Sequence, residues 1–299
     1  MKIDLNKYLA VLPIERFRNP PPTVAVLRLH GVIGRAGRFQ SGIELGGLAE
    51  SIEAAFSIKG VAAVALAINS PGGAPAQANL VYARIRAFAA EKEVPVIAFA
   101  EDVAASGGYW LACAGDEIYA DENSIVGSIG VISASFGFQE LMSKIGVERR
   151  VHAQGERKSM LDPFQPEQEA DLKRLNVIQK DIHANFKRLV HDRRGDRLKI
   201  SDRKLFSGDV WTGREALEAG LIDGLGELRE VLRQRFGDRV KIKLIGGKPS
   251  FLKRLLGRGT AGGVQAFSVT DSLAEAASSW PSKVIAAVEE RTFWSRFGL

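Results

Sequence analysis

Apolar and polar positions fall into blocks along the first half of the chain, and the blocks are of two kinds. Thr23-Val-Ala-Val-Leu-Arg-Leu29, Val61-Ala-Ala-Val-Ala-Leu-Ala-Ile68 and Val94-Pro-Val-Ile-Ala-Phe99 are nearly continuous apolar runs of strand length. A run apolar on both faces predicts a strand covered on both sides, as in a parallel sheet with helices packed against it. Between these runs Leu45, Leu48, Ile52, Ala55 and Phe56 recur at helical spacing, and Ala76 to Glu91 reads as a second helix. Further on, the pattern predicts a small-residue helix from Ser106 through Ala114, short strands at Ile118–Ala120 and Ile129–Ile132, a helix over 139–145 and a strand at Val147–His152. After Pro166 a long charged helix runs to about Arg194, with Leu172, Leu175, Ile178 and Ile182 on one stripe. A turn, a helix capped by Thr212, a stop at Gly220 and a short strand follow, then a helix over 228–236 and a strand over 240–245. Repeated strand–crossover–strand units predict an α/β fold with a mostly parallel sheet and helices on its faces.

The same pass divides the chain. Pro20-Pro-Pro22 separates an N-terminal arm, residues 1–22, from a domain spanning 23–245. From Gly246 the composition turns basic and aromatic, in Phe251-Leu-Lys-Arg-Leu-Leu256 and Phe293-Trp-Ser-Arg-Phe297, which marks 246–299 as a tail. A surface helix docking on the domain or a partner, and a membrane-interface anchor, are the two readings of that tail. The 41 basic against 35 acidic residues give a formal charge of +6, a moderate excess that a basic tail or an anionic membrane accounts for as well as nucleic acid; no nucleic-acid partner is expected. The single cysteine, Cys113, excludes internal disulfides and cysteine-cluster zinc sites, and its apolar neighbours predict a buried structural thiol. No run reaches the roughly 18 apolar residues of a transmembrane helix. Neither a metal site nor a nucleotide-binding loop is visible, so no cofactor is expected.

Three segments carry chemistry. Asp102-Val-Ala-Ala-Ser-Gly-Gly-Tyr109 offers a serine hydroxyl, Ser106, just past a buried strand and among small residues that let a carbonyl approach. Asn69-Ser-Pro-Gly-Gly73 offers a glycine turn whose N–H groups can bind an oxyanion through Gly72 or Gly73, with Gly107 as a further donor. Both segments sit at carboxyl ends of strands, where sites form in such folds. The base is less determined. His30 reads as structural, at the end of the first strand, and His183 and His191 as solvated on the long helix. His152 is a candidate, and so is Lys158, which burial could turn into a base. Ser128, in the Gly127-Ser-Ile-Gly130 turn, could orient such an amine. Nucleophile, base and oxyanion donors are the parts of an acyl-transfer site.

These residues resemble a known family, the serine peptidases of the signal peptide peptidase A and SohB type. The resemblance runs from about residue 23 to 245, through Val26-Leu-Arg-Leu-His-Gly31, Asn69-Ser-Pro-Gly-Gly73, Ala105-Ser-Gly-Gly-Tyr109, Gly127-Ser-Ile-Gly-Val131, Arg157-Lys-Ser159 with Pro163, and Trp211-Thr-Gly-Arg-Glu-Ala-Leu217 through Gly220-Leu-Ile-Asp223. It implies a Clp-protease/crotonase-like fold and an endopeptidase with a Ser–Lys dyad, Ser106 and Lys158, acting on peptides, unfolded polypeptides or signal-peptide remnants. It also implies that Ser128 contacts the lysine, that the Gly72–Gly73 turn forms the oxyanion hole, and that a homo-oligomeric ring lets one subunit lend its lysine to the next. Many members carry an N-terminal transmembrane helix where this chain has only the short arm, so the expected location is cytoplasmic or peripheral at the inner membrane. Two other classes share the fold: a crotonase-like acyl-CoA enzyme, which would not depend on Ser106, and a catalytically idle membrane-associated scaffold, which would tolerate loss of both dyad residues.

Overall fold

The computed structural model describes residues 20–34, 42–246, 291 and 294–298. Residues 1–19, the basic loop around Gly34–Arg38 from residue 35 on, and nearly all of the tail lie outside the described residues.

The apolar runs become strands because each finds cover on both faces. They are β1 (Thr23–His30), β2 (Val61–Ser70) and β3 (Val96–Ala105), paired in parallel. Ala25, Leu27 and Leu29 of β1, Val64, Leu66 and Ile68 of β2, and Val96, Ala98 and Ala100 of β3 point into one core. The intervening residues Val24, Val26, Ala63, Ala65, Ala67, Ile97 and Phe99 point into a second core on the other face. The period of two along a strand therefore fills two cores at once. Complete burial of a Leu or Ile in either contributes about 1.5–3 kcal/mol.

Helices α1 (Leu45–Phe56), α2 (Pro75–Lys92) and α3 (Gly107–Ala112) supply the cover on the first face. A short helix, α4 (Gln139–Lys144), is followed by α5 (Glu169–Arg194), α6 (Asp202–Leu205), α7 (Gly213–Ala219) and α8 (Leu228–Phe236). Val231 and Leu232 of α8 cover the second face. The remaining strands are β4 (Glu117–Ala120), β5 (Ile125–Gly127), β6 (Val210–Thr212), β7 (Gly224–Leu225) and β8 (Lys241–Ile245). The sheet runs β6-β5-β3-β2-β1-β8, with β4 also on β3 and β7 on β4; among the described residues only the β5–β6 pairing is antiparallel. This is the mostly parallel, helix-covered α/β architecture that the hydrophobic pattern predicts.

Strand β3 divides its pairing. Ile97–Ala100 align with β4 and Val103–Ala105 with β5, and Glu101 and Asp102 at the fork are exposed. The apolar run read from the sequence ends at Phe99 because these two acids interrupt it, yet the strand continues to Ala105.

Two predicted strands are corrected. No strand forms at Ile129–Ile132; the strand is β5, just upstream, and it ends because Gly127 and Ser128 adopt φ of 110° and 52°. No strand forms at Val147–His152 either. Its apolar residues find no facing strand, and Val147 and Val151 are exposed. The long helix is as predicted, but its stripe is covered only toward the C-terminus, where Phe186, Leu189 and Val190 are buried and Phe186 packs on Trp110 with ring centroids 4.8 Å apart. Leu172 and Val177 stay exposed. Thr212 caps α7 as expected, accepting from the Glu215 N–H while the Glu215 carboxylate accepts from the Thr212 N–H.

One polar tie closes this end of the domain. Arg194, buried at the end of α5, donates to Asp223 at 2.7 Å and to the Gly220 carbonyl at 3.0 Å. Asp223 also accepts from Ile118 N–H of β4, and the buried Tyr109 hydroxyl donates to the Leu221 carbonyl. Burial works against the Asp223 charge, but Arg194 overrides it and holds the carboxyl below the usual range.

Candidate active site

The end of β3 is held on both sides before the chain turns into α3. Ala104 pairs with Ser70 of β2, and Ala105 pairs with Gly127 of β5. The next residue is Ser106, with φ 53° and ψ −120°, a conformation a non-glycine residue holds only when its surroundings impose it. The Ser106 N–H donates to the Gly127 carbonyl at 2.7 Å, and the Ser106 carbonyl accepts from Trp110 N–H at 3.0 Å. A sharp, strained strand-to-helix turn of this kind lifts a side chain off the backbone and presents it to a ligand.

The glycine turn lies against it. A Cβ on Gly72 would sit 2.7 Å from the Ser106 Cβ and 3.0 Å from the Gly107 nitrogen, so only glycine allows this approach. Gly72 N–H donates to the Ser70 hydroxyl at 3.3 Å, and the Gly72 carbonyl accepts from Ile33 N–H at 2.8 Å. In a trans peptide the C=O and the following N–H point in opposite directions. The Gly73 N–H therefore points away from Ile33, and its nitrogen is 3.5 Å from where a Gly107 Cβ would be. Neither Gly73 N–H nor Gly107 N–H has an acceptor among the described residues. Two free donors thus lie on residues packed against Ser106, whereas the Gly72 donor is already used.

Ser128 comes close through its backbone. It follows the Gly127 carbonyl that holds Ser106, is 7% exposed, and donates its N–H to the Asp209 carbonyl at 2.7 Å. Strand β6 supports this turn, with Trp211 packed so closely on Gly127 that a Cβ there would meet its ring at 2.4 Å. Both Ser106 and Ser128 carry positive φ, which among the described residues only Glu93 and Leu161 share outside glycine.

The single chain does not join Lys158 to this cluster. Lys158 lies on the exposed segment between α4 and α5, with its N–H on the Gly155 carbonyl, and its ammonium has no hydrogen bond or ion pair among the described residues. His152 is exposed on the same segment. His30 makes a structural contact, 2.8 Å from Glu101, whose carboxyl that hydrogen bond draws down. His191 meets Asp202 at 3.1 Å. His183 differs from the solvated reading: its Nε2 is buried without a partner beside Phe206, and burial, with Lys187, pushes its basicity down. Two residues gain roles that the motifs alone did not give them, Asn69 and Ser70, which bond the two halves of the site. Their adjacency to the glycine turn was the available signal.

A groove of about 580 Å³ starts next to these elements, lined by Pro75 and Ala76 after the glycine turn, Trp110, Ile182 and Leu189. Ser106 does not line it. No group of three or more His, Cys, Asp or Glu side chains suited to a metal occurs among the described residues.

A sequence model described as peptidase family S49 matches residues 89–240, half of the chain, from the end of α2 through β3, the Ser106 turn and α5 to the start of β8. The chain belongs to peptidase family S49. The observed mostly parallel, helix-covered sheet is the α/β frame on which the matched segment lies. Among its relatives, Protease 4 of Haemophilus influenzae is 30% identical over 238 residues, 78% of this chain and 37% of that one. The chloroplastic serine protease SPPA of Arabidopsis thaliana is 31% identical over 217 residues, 70% of this chain and 31% of that one. A Brucella abortus protein named Na(+)/H(+) antiporter NhaA is 49% identical over 287 residues, 95% of this chain but 38% of that one. Most of that protein lies outside the match, so its name is not carried over. The chain spans well under half the length of these relatives. No helix among the described residues is long and apolar enough to cross a membrane.

Proposed function

We propose that this S49 chain is a serine endopeptidase unit in which Ser106 is the nucleophile and Lys158 the base. The observation that carries this reading is the Ser106 turn itself: a strained, non-glycine residue facing a glycine turn, with the Gly73 and Gly107 N–H groups free beside it. Neutral Lys158 takes the Ser106 hydroxyl proton while the oxygen attacks the peptide carbonyl carbon. The Gly73 and Gly107 amides hold the resulting oxyanion, a contribution of about 3 kcal/mol to the transition state per donor. The lysine ammonium then gives its proton to the leaving amine, and water, activated by the same amine, hydrolyses the acyl-enzyme. Ser128 orients the lysine.

In this reading Lys158 reaches Ser106 from a neighbouring copy in a homo-oligomeric ring. Lysine works as a base only when desolvated, and here Lys158 is exposed, as are Ile132, Phe136, Leu141 and Ile145 in and around α4. Such an apolar, poorly covered segment is suited to burial against another copy. The substrates are unfolded or membrane-associated polypeptides, signal-peptide remnants among them, in line with the protease names of the relatives.

The test is hydrolysis of casein and of a fluorogenic signal-peptide substrate by wild type, Ser106→Ala, Lys158→Ala and a mixture of the two variants. Both variants inactive and the mixture active is the expected result. A fully active Lys158→Ala would remove the lysine from the mechanism and make His152 the base to examine.

A further inference from the structure

We infer that Asn69 is a positioning residue that locks the nucleophile strand to the oxyanion strand, an inference that rests on Ser106 being the nucleophile. The register of β2 against β3 is one to one from Val64–Val96 to Ile68–Ala100, and the next pair is Ser70–Ala104. Two steps along β2 thus face four along β3, so β3 carries two extra residues just before the site. Such an insertion leaves backbone groups without ladder partners and re-aims the side chains beyond it.

The Asn69 carboxamide fills the break. Its Nδ2 donates to the Asp102 carboxylate at 2.5 Å, and its Oδ1 accepts from Val103 N–H at 3.3 Å. On the opposite side of the fork the buried Ser124 hydroxyl donates to the Glu101 carbonyl at 2.5 Å. The Asn69 backbone carbonyl accepts from Gly31 N–H, so the residue is fixed from β1 as well.

The consequence lies in where the two strands lead. Asn69 stands three residues before Gly72, and Val103 stands three before Ser106. Helix α3 presses on the same strand, since a Cβ on Gly108 would meet the Ser70 carbonyl at 2.4 Å. The Asn69 carboxamide therefore braces the break between the strands that lead to the glycine turn and to the serine. A shift of about 1 Å at a catalytic group costs on the order of 100-fold in rate, so the carboxamide acts on turnover without touching the substrate.

The experiment measures kcat and KM on a fluorogenic peptide, the rate of phosphonate labelling at Ser106, and the thermal midpoint. The variants are Asn69→Ala, Asn69→Asp, Asn69→Asp with Asp102→Asn, and Ser106→Ala. Asn69→Ala is expected to lower kcat and the labelling rate together by about 10- to 100-fold, with KM within about twofold. Asn69→Asp sets two carboxylates against each other and should lose more. The double variant restores a donor–acceptor pair in reverse, with the Val103 N–H still accepted, and should recover to within about threefold of wild type. A folded Asn69→Ala with wild-type kcat overturns the inference, as does a double variant that regains the thermal midpoint but not kcat. Should Asn69→Ala fail to fold, the double variant decides. Labelling that persists in Ser106→Ala overturns the nucleophile reading, and this inference with it; loss of labelling there beside unchanged Asn69 variants overturns the positioning role alone.

Discussion

Alanine at Gly72 tests the geometry of the site most directly. The added Cβ would lie 2.7 Å from the Ser106 Cβ, where ordinary contact begins at 3.4 Å, so one of the two must move by about 0.7 Å. The contacts behind it are backbone, the Gly107 nitrogen at 3.0 Å and the Ala105 carbonyl at 3.1 Å, and neither can swing aside as a side-chain tip would. The backbone adds its own cost: Gly72 has φ 108°, and holding alanine there costs about 1–3 kcal/mol. A displacement of this size at the attacking oxygen or its oxyanion donors lowers kcat by about 10- to 100-fold. KM should change little, because the substrate's distant contacts are untouched. The assay is steady-state hydrolysis of a fluorogenic peptide, with the phosphonate labelling rate at Ser106 and urea unfolding alongside. Gly60→Ala is the control, since Gly60 also has positive φ, 68°, but nothing within 4 Å of its would-be Cβ. It should lose about 1 kcal/mol of stability and no activity. A folded Gly72→Ala variant with kcat within threefold of wild type would refute the packing of the glycine turn on the serine.

Removing the Asp223 carboxylate strands the buried Arg194 guanidinium. Asp223→Ala should cost about 3 kcal/mol in urea unfolding, the lower part of the range for a broken buried pair because Asp223 itself is 17% exposed; a loss under about 1 kcal/mol would contradict that role. The carboxyl is held below its usual range when folded, so this stabilisation is complete above the ordinary aspartate value near about pH 4 and fades as pH falls through the lower folded-state value. Wild type should accordingly lose more stability on acidification than Asp223→Ala does. Burial pushes the Cys113 thiol up to about 12, so it should resist iodoacetamide at pH 8 in the native protein and react only in denaturant. Rapid native alkylation would mean that the core around α3 opens.

Much of the fold was legible because burial on both faces leaves a signature that needs no partner to be read. The runs at β1, β2 and β3 are apolar at successive positions, and so they had to be central. Where pairing depends on a distant segment, the pattern fails. Strand β5 has three residues and exists because β3 lies on one side and Trp211 on the other, neither of which its own sequence announces. Val147–His152 reads as a strand on its two valines, but no strand pairs with it among the described residues. At the site, small residues around Ser106 and the double glycine after Pro71 indicated close backbone approach. Which of Gly72 and Gly73 keeps an unbonded N–H was not legible, because it depends on which peptide Ile33 captures. Nor was the fork in β3, since a two-residue insertion is a relation between two strands and leaves no trace in either alone.

The strain at Ser106 makes sense only as the product of that fork. An isolated serine would leave φ 53°, ψ −120° for an ordinary region and gain about 1–3 kcal/mol by doing so. Here the relaxation is blocked on every side. Its N–H is taken by Gly127 and its carbonyl by Trp110, and Ala104 and Ala105 before it are aligned with two different strands. A single strand running straight through would offer one ladder and one direction; the extra residues let β3 leave β4 and join β5 just before the turn. Each ladder fixes the backbone independently, so releasing Ser106 would require breaking both. The cost of the strained residue is thus borne by sheet pairing that the α/β domain makes anyway.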